Sequence, residues 1–286
     1  MPLVTLTDVL RDAAKARYAV GAFNVVGIEF LEAIMEAAEA RRSPVILAIG
    51  EPHFPFVNPD HICPAILAMA HRSSVPVVLH LDHGGTFEGV LRSLRTGFTS
   101  VMFDGSKLDY GENVRQTREV VRVCAALKVP VEAELGAVGG SETGRVEGTA
   151  DAGLFTDPDQ ARDFVGRTGV DALAVAIGNV HGKYRGEPKL DFDRLRRIRE
   201  KAEVPLVLHG GTGISADDFR RAMALGIAKI NVYTGMSQAG LQAVGDFCRN
   251  MGDGYHDYPL MLSQLKARVR CVVDAHIDMF GSAGKA

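Results

Sequence analysis

The chain has 286 residues, of which 47% are hydrophobic and 23% charged, the balance of a soluble globular protein. Lysine and arginine number 32 against 35 aspartates and glutamates, and the net charge of −3 is too small to favour nucleic acid or an anionic membrane as partner. No apolar run nears the roughly 18 residues of a membrane span, the first residues lack a signal-peptide pattern, and the scattered Cys63, Cys124, Cys248 and Cys271 form no CxxC and read as reduced thiols of a cytoplasmic protein.

Short β-rich runs recur along the chain. They are Ala19–Asn24, Val45–Ile49, Pro76–Leu81, Ser100–Phe103, Pro130–Glu134, Ala172–Ile177, Pro205–His209 and Ala228–Val232. Most are nearly continuous in apolar residues, as parallel strands buried on both faces require. Several begin with proline, which fits a first strand position and blocks a preceding helix. Between them lie amphipathic segments: Glu29–Arg42, Asp109–Leu127, Asp157–Arg167, Asp191–Lys201 and Ser215–Leu225. Asp157-Pro158 and Ser215 read as helix starts. Strand then helix, repeated over about 250 residues, predicts an α/β fold, a (β/α)8 TIM barrel with additional C-terminal helices. A doubly wound open sheet is the alternative, with fewer strands and one crevice. No linker divides residues 1–286, so one domain is expected.

Two stretches break the rhythm. Gly136–Phe155 is long, polar and glycine-rich, the composition of a functional lid or a disordered segment. Gly178–Leu190 carries His181. After residue 235 the pattern is helical, apart from a break near Met251–Pro259.

A barrel enzyme places its chemistry at the carboxyl ends of its strands. There the sequence puts Asp82, His83, Asp104, Glu134, His181, His209 and Asn231. His83, His181 and His209 are far apart in sequence, yet each follows a short apolar run and is next to glycine. Three neutral imidazoles at a barrel mouth suit an open zinc site. Glu134 can add an exchangeable ligand. Asp104 joins the metal set by orienting an imidazole through its other nitrogen, unless it only caps a helix. A lone histidine is more cheaply read as structural, and His53, His61, His71, His256 and His276 take that reading. His80 shares a strand face with Asp82 and is expected inside the barrel, bonded to a neighbour.

The glycine runs His209-Gly-Gly-Thr-Gly213 and Asn231-Val-Tyr-Thr-Gly235 follow the seventh and eighth strands. Backbone N–H groups at those positions commonly bind phosphate. No dinucleotide fingerprint is present.

Together these residues resemble the class II, zinc-dependent ketose-phosphate aldolases, the fructose- and tagatose-bisphosphate aldolases and their relatives. The resemblance rests on Leu81-Asp-His-Gly84, Met102-Phe-Asp-Gly-Ser106, Val131-Glu-Ala-Glu-Leu-Gly136, Gly178-Asn-Val-His-Gly182, Leu208-His-Gly-Gly-Thr-Gly213 and Asn231-Val-Tyr-Thr234. It runs from about Tyr18 to the C-terminal Lys285-Ala286.

The resemblance implies one zinc per chain on His83, His181 and His209, with Glu134 at the metal site and Asp104 beside it. It implies Asp82 as the acid that handles the proton on the aldehyde-side oxygen. Glu142 matches the group that moves a proton at the carbon alpha to the carbonyl. Asn24, Gly182, Gly210, Gly211, Thr212, Asn231, Tyr233 and Thr234 match the site for the dihydroxyacetone phosphate half. Sodium or potassium near these backbone carbonyls, and a homodimer or homotetramer, are further expectations.

The chemistry is consistent. Breaking a carbon–carbon bond beside a ketone makes an enediolate whose charge a Lewis acid stabilises. A loop carrying Glu142 would exclude water.

Two departures concern the substrate. Position 233 is tyrosine, where bisphosphate aldolases of the family carry other residues, aspartate in some. Their C-terminal Arg-x-Gly, which grips a distal phosphate, is replaced by Pro259-Leu-Met-Leu-Ser-Gln-Leu265. Nearby Lys266, Arg268 and Arg270 read as a solvated helix face. A ketose 1-phosphate, a bisphosphate and a sugar-acid phosphate stay open. So do a metal-dependent hydrolase, a non-catalytic partner subunit and a Schiff-base aldolase using Lys229.

Overall fold

The computed structural model describes residues 2–140, 149–253 and 256–286. Eight parallel strands close into a barrel: β1 (Val20–Asn24), β2 (Val45–Gly50), β3 (Val77–Gly84), β4 (Ser100–Phe103), β5 (Val131–Leu135), β7 (Ala172–Val175), β9 (Leu206–Leu208) and β10 (Ile227–Val232). They neighbour one another in chain order, and β10 pairs with β1 to complete the ring. This is the predicted α/β barrel. The open sheet is ruled out by that last pairing. A second sheet joins β6 (Gly139–Gly140) to β8 (Val180–His181), with Gly140 opposite His181.

Helices wrap the outside: α2 (Ile28–Arg41), α3 (Pro59–Arg72), α4 (Phe87–Arg95), α5 (Tyr110–Ala126), α6 (Pro158–Thr168), α7 (Phe192–Lys201) and α8 (Ala216–Ala224). The expected caps are in place. Asp157 accepts from the amides of Asp159 and Gln160, and Ser215 from that of Asp218. Their apolar faces and the outer faces of the strands form the larger core.

The barrel interior is layered. At its amino end α1 (Leu6–Ala16) inserts Leu6, Val9, Leu10 and Ala13 among Val20, Ile46, Val78 and Val207. Above this apolar plug, His80, Ser100, Glu132 and Lys229 lie side by side, all fully buried. The candidate site is the next layer up.

The strand expected to stop at Leu81 continues to Gly84. Pairing with β2 sustains it, since Gly50 sits opposite Asp82. On the other side its register against β4 shifts between Leu81 and Gly84. His83 there has φ 46°, a left-handed conformation uncommon outside glycine. Such strain persists where the surroundings impose it, and it clusters at functional sites. Gly84 is required at this bulge, because a Cβ would lie 2.4 Å from the carbonyl oxygen of Met102.

The C-terminal helices α9 (Thr234–Arg249) and α10 (Tyr258–Met279) complete the shell. Lys266 and Arg270 are more than a solvated face. Lys266 bridges Glu32 and Glu36 of α2, each at 3.0 Å, and Arg270 reaches Glu36 at 3.1 Å. Such half-exposed pairs contribute at most about 1 kcal/mol each and mainly fix where α10 sits. Arg268 lies 3.8 Å from Asp246 of α9. No helix of the described residues is long and apolar enough to cross a membrane.

Candidate active site

The carboxyl ends of β3 and β9, together with β8, bring three distant histidines together. Ring centroids lie 4.6 Å apart for His83 and His209, 4.8 Å for His83 and His181, and 5.9 Å for His181 and His209. One nitrogen from each falls within 4.8 Å of the others. β8 holds His181 over the barrel mouth, and buried Asn179 ties that turn down by donating to the carbonyl of His209 at 3.1 Å.

Carboxylates fix which nitrogen points inward. Nδ1 of His83 lies 2.8 Å from Asp104, and Nε2 of His209 lies 2.9 Å from Glu132. When each of these nitrogens donates to its carboxylate, Nε2 of His83 and Nδ1 of His209 present lone pairs. Those two atoms face each other at 2.9 Å. Two acceptors so close are stabilised by a cation beside them. Burial holds the pKa of His209 below its usual value, and that of His181 well below. Neutral imidazoles are the form that binds metal. The donor set therefore fits a divalent metal ion.

Asp104 is placed to orient His83 through Nδ1. Burial raises its pKa, but the contact with His83 wins and holds its carboxyl well below the usual range. Glu134 sits elsewhere than a simple fourth ligand would. Its Oε2 is 4.0 Å from Nδ1 of His83, on the side of Asp104 rather than of His209. His83, Asp104 and Glu134 form a second potential ligand group sharing that histidine.

Glu132 is a residue the sequence reading passed over. It anchors His209 from below and pairs with Lys229 at 2.8 Å and 3.0 Å. Burial pushes its carboxyl up, but the Lys229 ammonium and the bond to His209 bring it down to about 2. His80 meets its expectation inside the barrel, bonding Ser100 at 2.8 Å. Alternation along β5 was the available signal, since Glu132 and Glu134 share the inward face.

Asp82 is held by two amides. Asn24 donates to its Oδ2 at 2.9 Å, and Asn231 to its Oδ1 at 2.8 Å. These two candidates for substrate binding thus also position a carboxylate. Burial alone would raise the Asp82 pKa; His83, His209, Lys229 and the Asn24 bond bring it below the usual carboxylate range. It is ionised at neutral pH, the form that can accept a proton.

Asp82, His83 and His181 open into a hollow of about 460 Å³, including space open to solvent. Gly182, Gly210, Gly211, Thr212, Tyr233 and Thr234 line one flank. The two glycine runs are tied together, because Gly235 N–H donates to Oγ1 of Thr212 at 3.1 Å. Tyr233 gives α9 no side-chain cap. The start of that helix is a suitable anion seat. Gly210 has φ 68°, and a Cβ there would be 2.0 Å from the carbonyl oxygen of Val180. Glu142 lies outside the described residues.

One reading is corrected. His53, taken as structural, lines the same hollow, 4.7 Å from the Tyr233 ring.

Comparison with known proteins agrees with this geometry. The family described as fructose-bisphosphate aldolase class-II matches residues 4–285. The chain is 40% identical over 289 residues to the probable fructose-bisphosphate aldolase of Bacillus subtilis (strain 168), covering all of both chains. The crystal structure of the YdjI aldolase from Escherichia coli K12 superposes with TM-score 0.89 at 38% identity, over 99% of each chain. A putative fructose-1,6-bisphosphate aldolase from Coccidioides immitis gives 0.87 at 31% identity, over 98% of this chain and 97% of the other. A closed parallel barrel with clustered histidines at its mouth, matched over nearly its whole length, belongs to the class II fructose-bisphosphate aldolase family, metal-dependent lyases that act on phosphorylated sugars.

Proposed function

We propose that this protein is a zinc-dependent aldolase, one catalytic domain that cleaves a phosphorylated ketose to dihydroxyacetone phosphate and an aldehyde. The observation that carries this reading is the approach of Nε2 of His83 and Nδ1 of His209 to 2.9 Å. With His181 they make an all-imidazole set, which favours zinc over the harder magnesium and calcium ions. A bound zinc would act as a Lewis acid on the ketone and its neighbouring hydroxyl.

The protein's own groups do the rest. Asp82, ionised and clamped by Asn24 and Asn231, accepts the proton of the C4 hydroxyl. The C3–C4 bond then breaks, and its electron pair moves toward the carbonyl. Asp82 returns its proton in the direction of synthesis. Such a group is typically worth about 10²–10⁴-fold in rate. Glu142 is assigned the proton at C3. The amides of Gly210–Thr212, Gly182 and Thr234 hold the phosphate and keep the three-carbon fragment in line.

The test is a cleavage assay on ketose 1-phosphates and 1,6-bisphosphates, with triose and inorganic phosphate measured together. Triose phosphate release that a chelator abolishes and zinc restores supports the reading. Inorganic phosphate without triose would replace it with a hydrolase.

A further inference from the structure

His53 is 7% exposed, and neither of its ring nitrogens has a hydrogen-bond partner among the described residues. A buried imidazole in that state costs stability, since both polar atoms have given up water. Proteins keep such groups where a ligand completes them.

Its placement is fixed. His53 ends the short turn Glu51–His53 after β2. Glu51 pins that turn across the barrel rim, accepting from the amides of Gly85 at 2.7 Å and Thr86 at 3.1 Å and from the Thr86 hydroxyl. Gly50 makes room beneath, because a Cβ there would be 3.0 Å from Nδ1 of His53. Tyr233 meets the ring edge-on from the far side of β1. No hydrogen bond joins His53 to Asp82, whose oxygens accept from Asn24 and Asn231.

Location says which half of the substrate it meets. Around the rim β2 lies next to β3, which carries Asp82, while β1 and β10 separate it from the Gly210–Thr212 loop of β9. His53 therefore sits beside the strand that carries Asp82 and is separated by two strands from the Gly210–Thr212 loop, while Tyr233 packs against its other side. Its chemistry says what it takes. A neutral imidazole offers one donor and one acceptor, which match a hydroxyl. A second phosphate would call for a cation, and among the described residues neither lysine nor arginine lines the hollow.

We propose that His53, backed by Tyr233, recognises a hydroxyl on the aldehyde-derived half of the substrate and so sets which aldehyde the enzyme accepts. This rests on the aldolase reading above.

The experiment runs in the direction of synthesis. Dihydroxyacetone phosphate is condensed with glyceraldehyde, glycolaldehyde and their deoxy counterparts, propionaldehyde and acetaldehyde. The zinc-loaded wild type is expected to favour the hydroxylated aldehydes in kcat/KM by about tenfold or more. His53→Phe is expected to bring that ratio near unity through the aldehyde KM, with the KM for dihydroxyacetone phosphate and the bound metal retained. His53→Asn, shorter but polar, is read in parallel, so a folding failure of the first variant leaves the test intact. It is expected to lose most of the preference. A folded, metal-loaded variant that keeps the wild-type ratio overturns the proposal, as does a wild type without hydroxyl preference. A wild type that condenses no aldehyde overturns the aldolase reading itself.

Discussion

Lys229 and Glu132 form an ion pair of 2.8 Å, both side chains fully buried beneath the histidines. The lysine that the sequence offers for Schiff-base chemistry is thus a counter-ion. Lys229→Met leaves Glu132 charged in the core without its partner. Breaking such a pair typically costs about 3–5 kcal/mol. Chemical denaturation should show a loss of that order, with weaker metal retention because Glu132 also orients His209. Borohydride with substrate should leave Lys229 unmodified by mass spectrometry. A trapped triose on Lys229 would contradict this.

Asp82→Ala removes the proton acceptor but none of the three imidazoles. Metal content and fold should be retained, while turnover falls by about 10²–10⁴-fold. Steady-state kinetics beside metal analysis checks this. Near-normal turnover would assign the proton elsewhere.

Gly210→Ala probes the phosphate loop. The position has φ 68°, and the added methyl would meet the Val180 carbonyl at 2.0 Å. The variant should lose more than about 1 kcal/mol of stability. Its KM for the ketose phosphate should rise, because the loop amides move. An unchanged KM would take the phosphate away from this loop.

The cysteines give a pH-dependent prediction. Burial pushes the Cys63 and Cys124 thiols up to about 11. In the unfolded chain they ionise near about 8.5. Between these values the folded protein holds protons that the unfolded chain has released, so these two groups lower stability as pH rises from about 8.5 to about 11. At pH 8 an alkylating reagent should label exposed Cys248 and Cys271 and spare the other two. Peptide mapping and melting temperature against pH check both statements.

Much of this was legible in the sequence, because parallel strands buried on both faces leave continuous apolar runs. The histidines were legible because glycine follows each and strand ends converge in a barrel. The bulge at His83 was not, since it depends on β3 pairing differently with β2 and β4. The split of Glu134 and Asp104 onto one nitrogen of His83 was hidden for the same reason: it depends on ring orientation. His53 escaped because a lone histidine after a strand carries no pattern, and its significance comes from what surrounds it. Glu132 was masked by Glu134, its neighbour on the same face.

The most direct measurement is metal content against the number of imidazoles. Purified protein should hold one zinc per chain. His83→Ala, His181→Ala and His209→Ala, each still folded by circular dichroism, should each fall well below that ratio and lose cleavage activity together. Full zinc occupancy and undiminished cleavage in any of the three would contradict a single ion shared by these side chains.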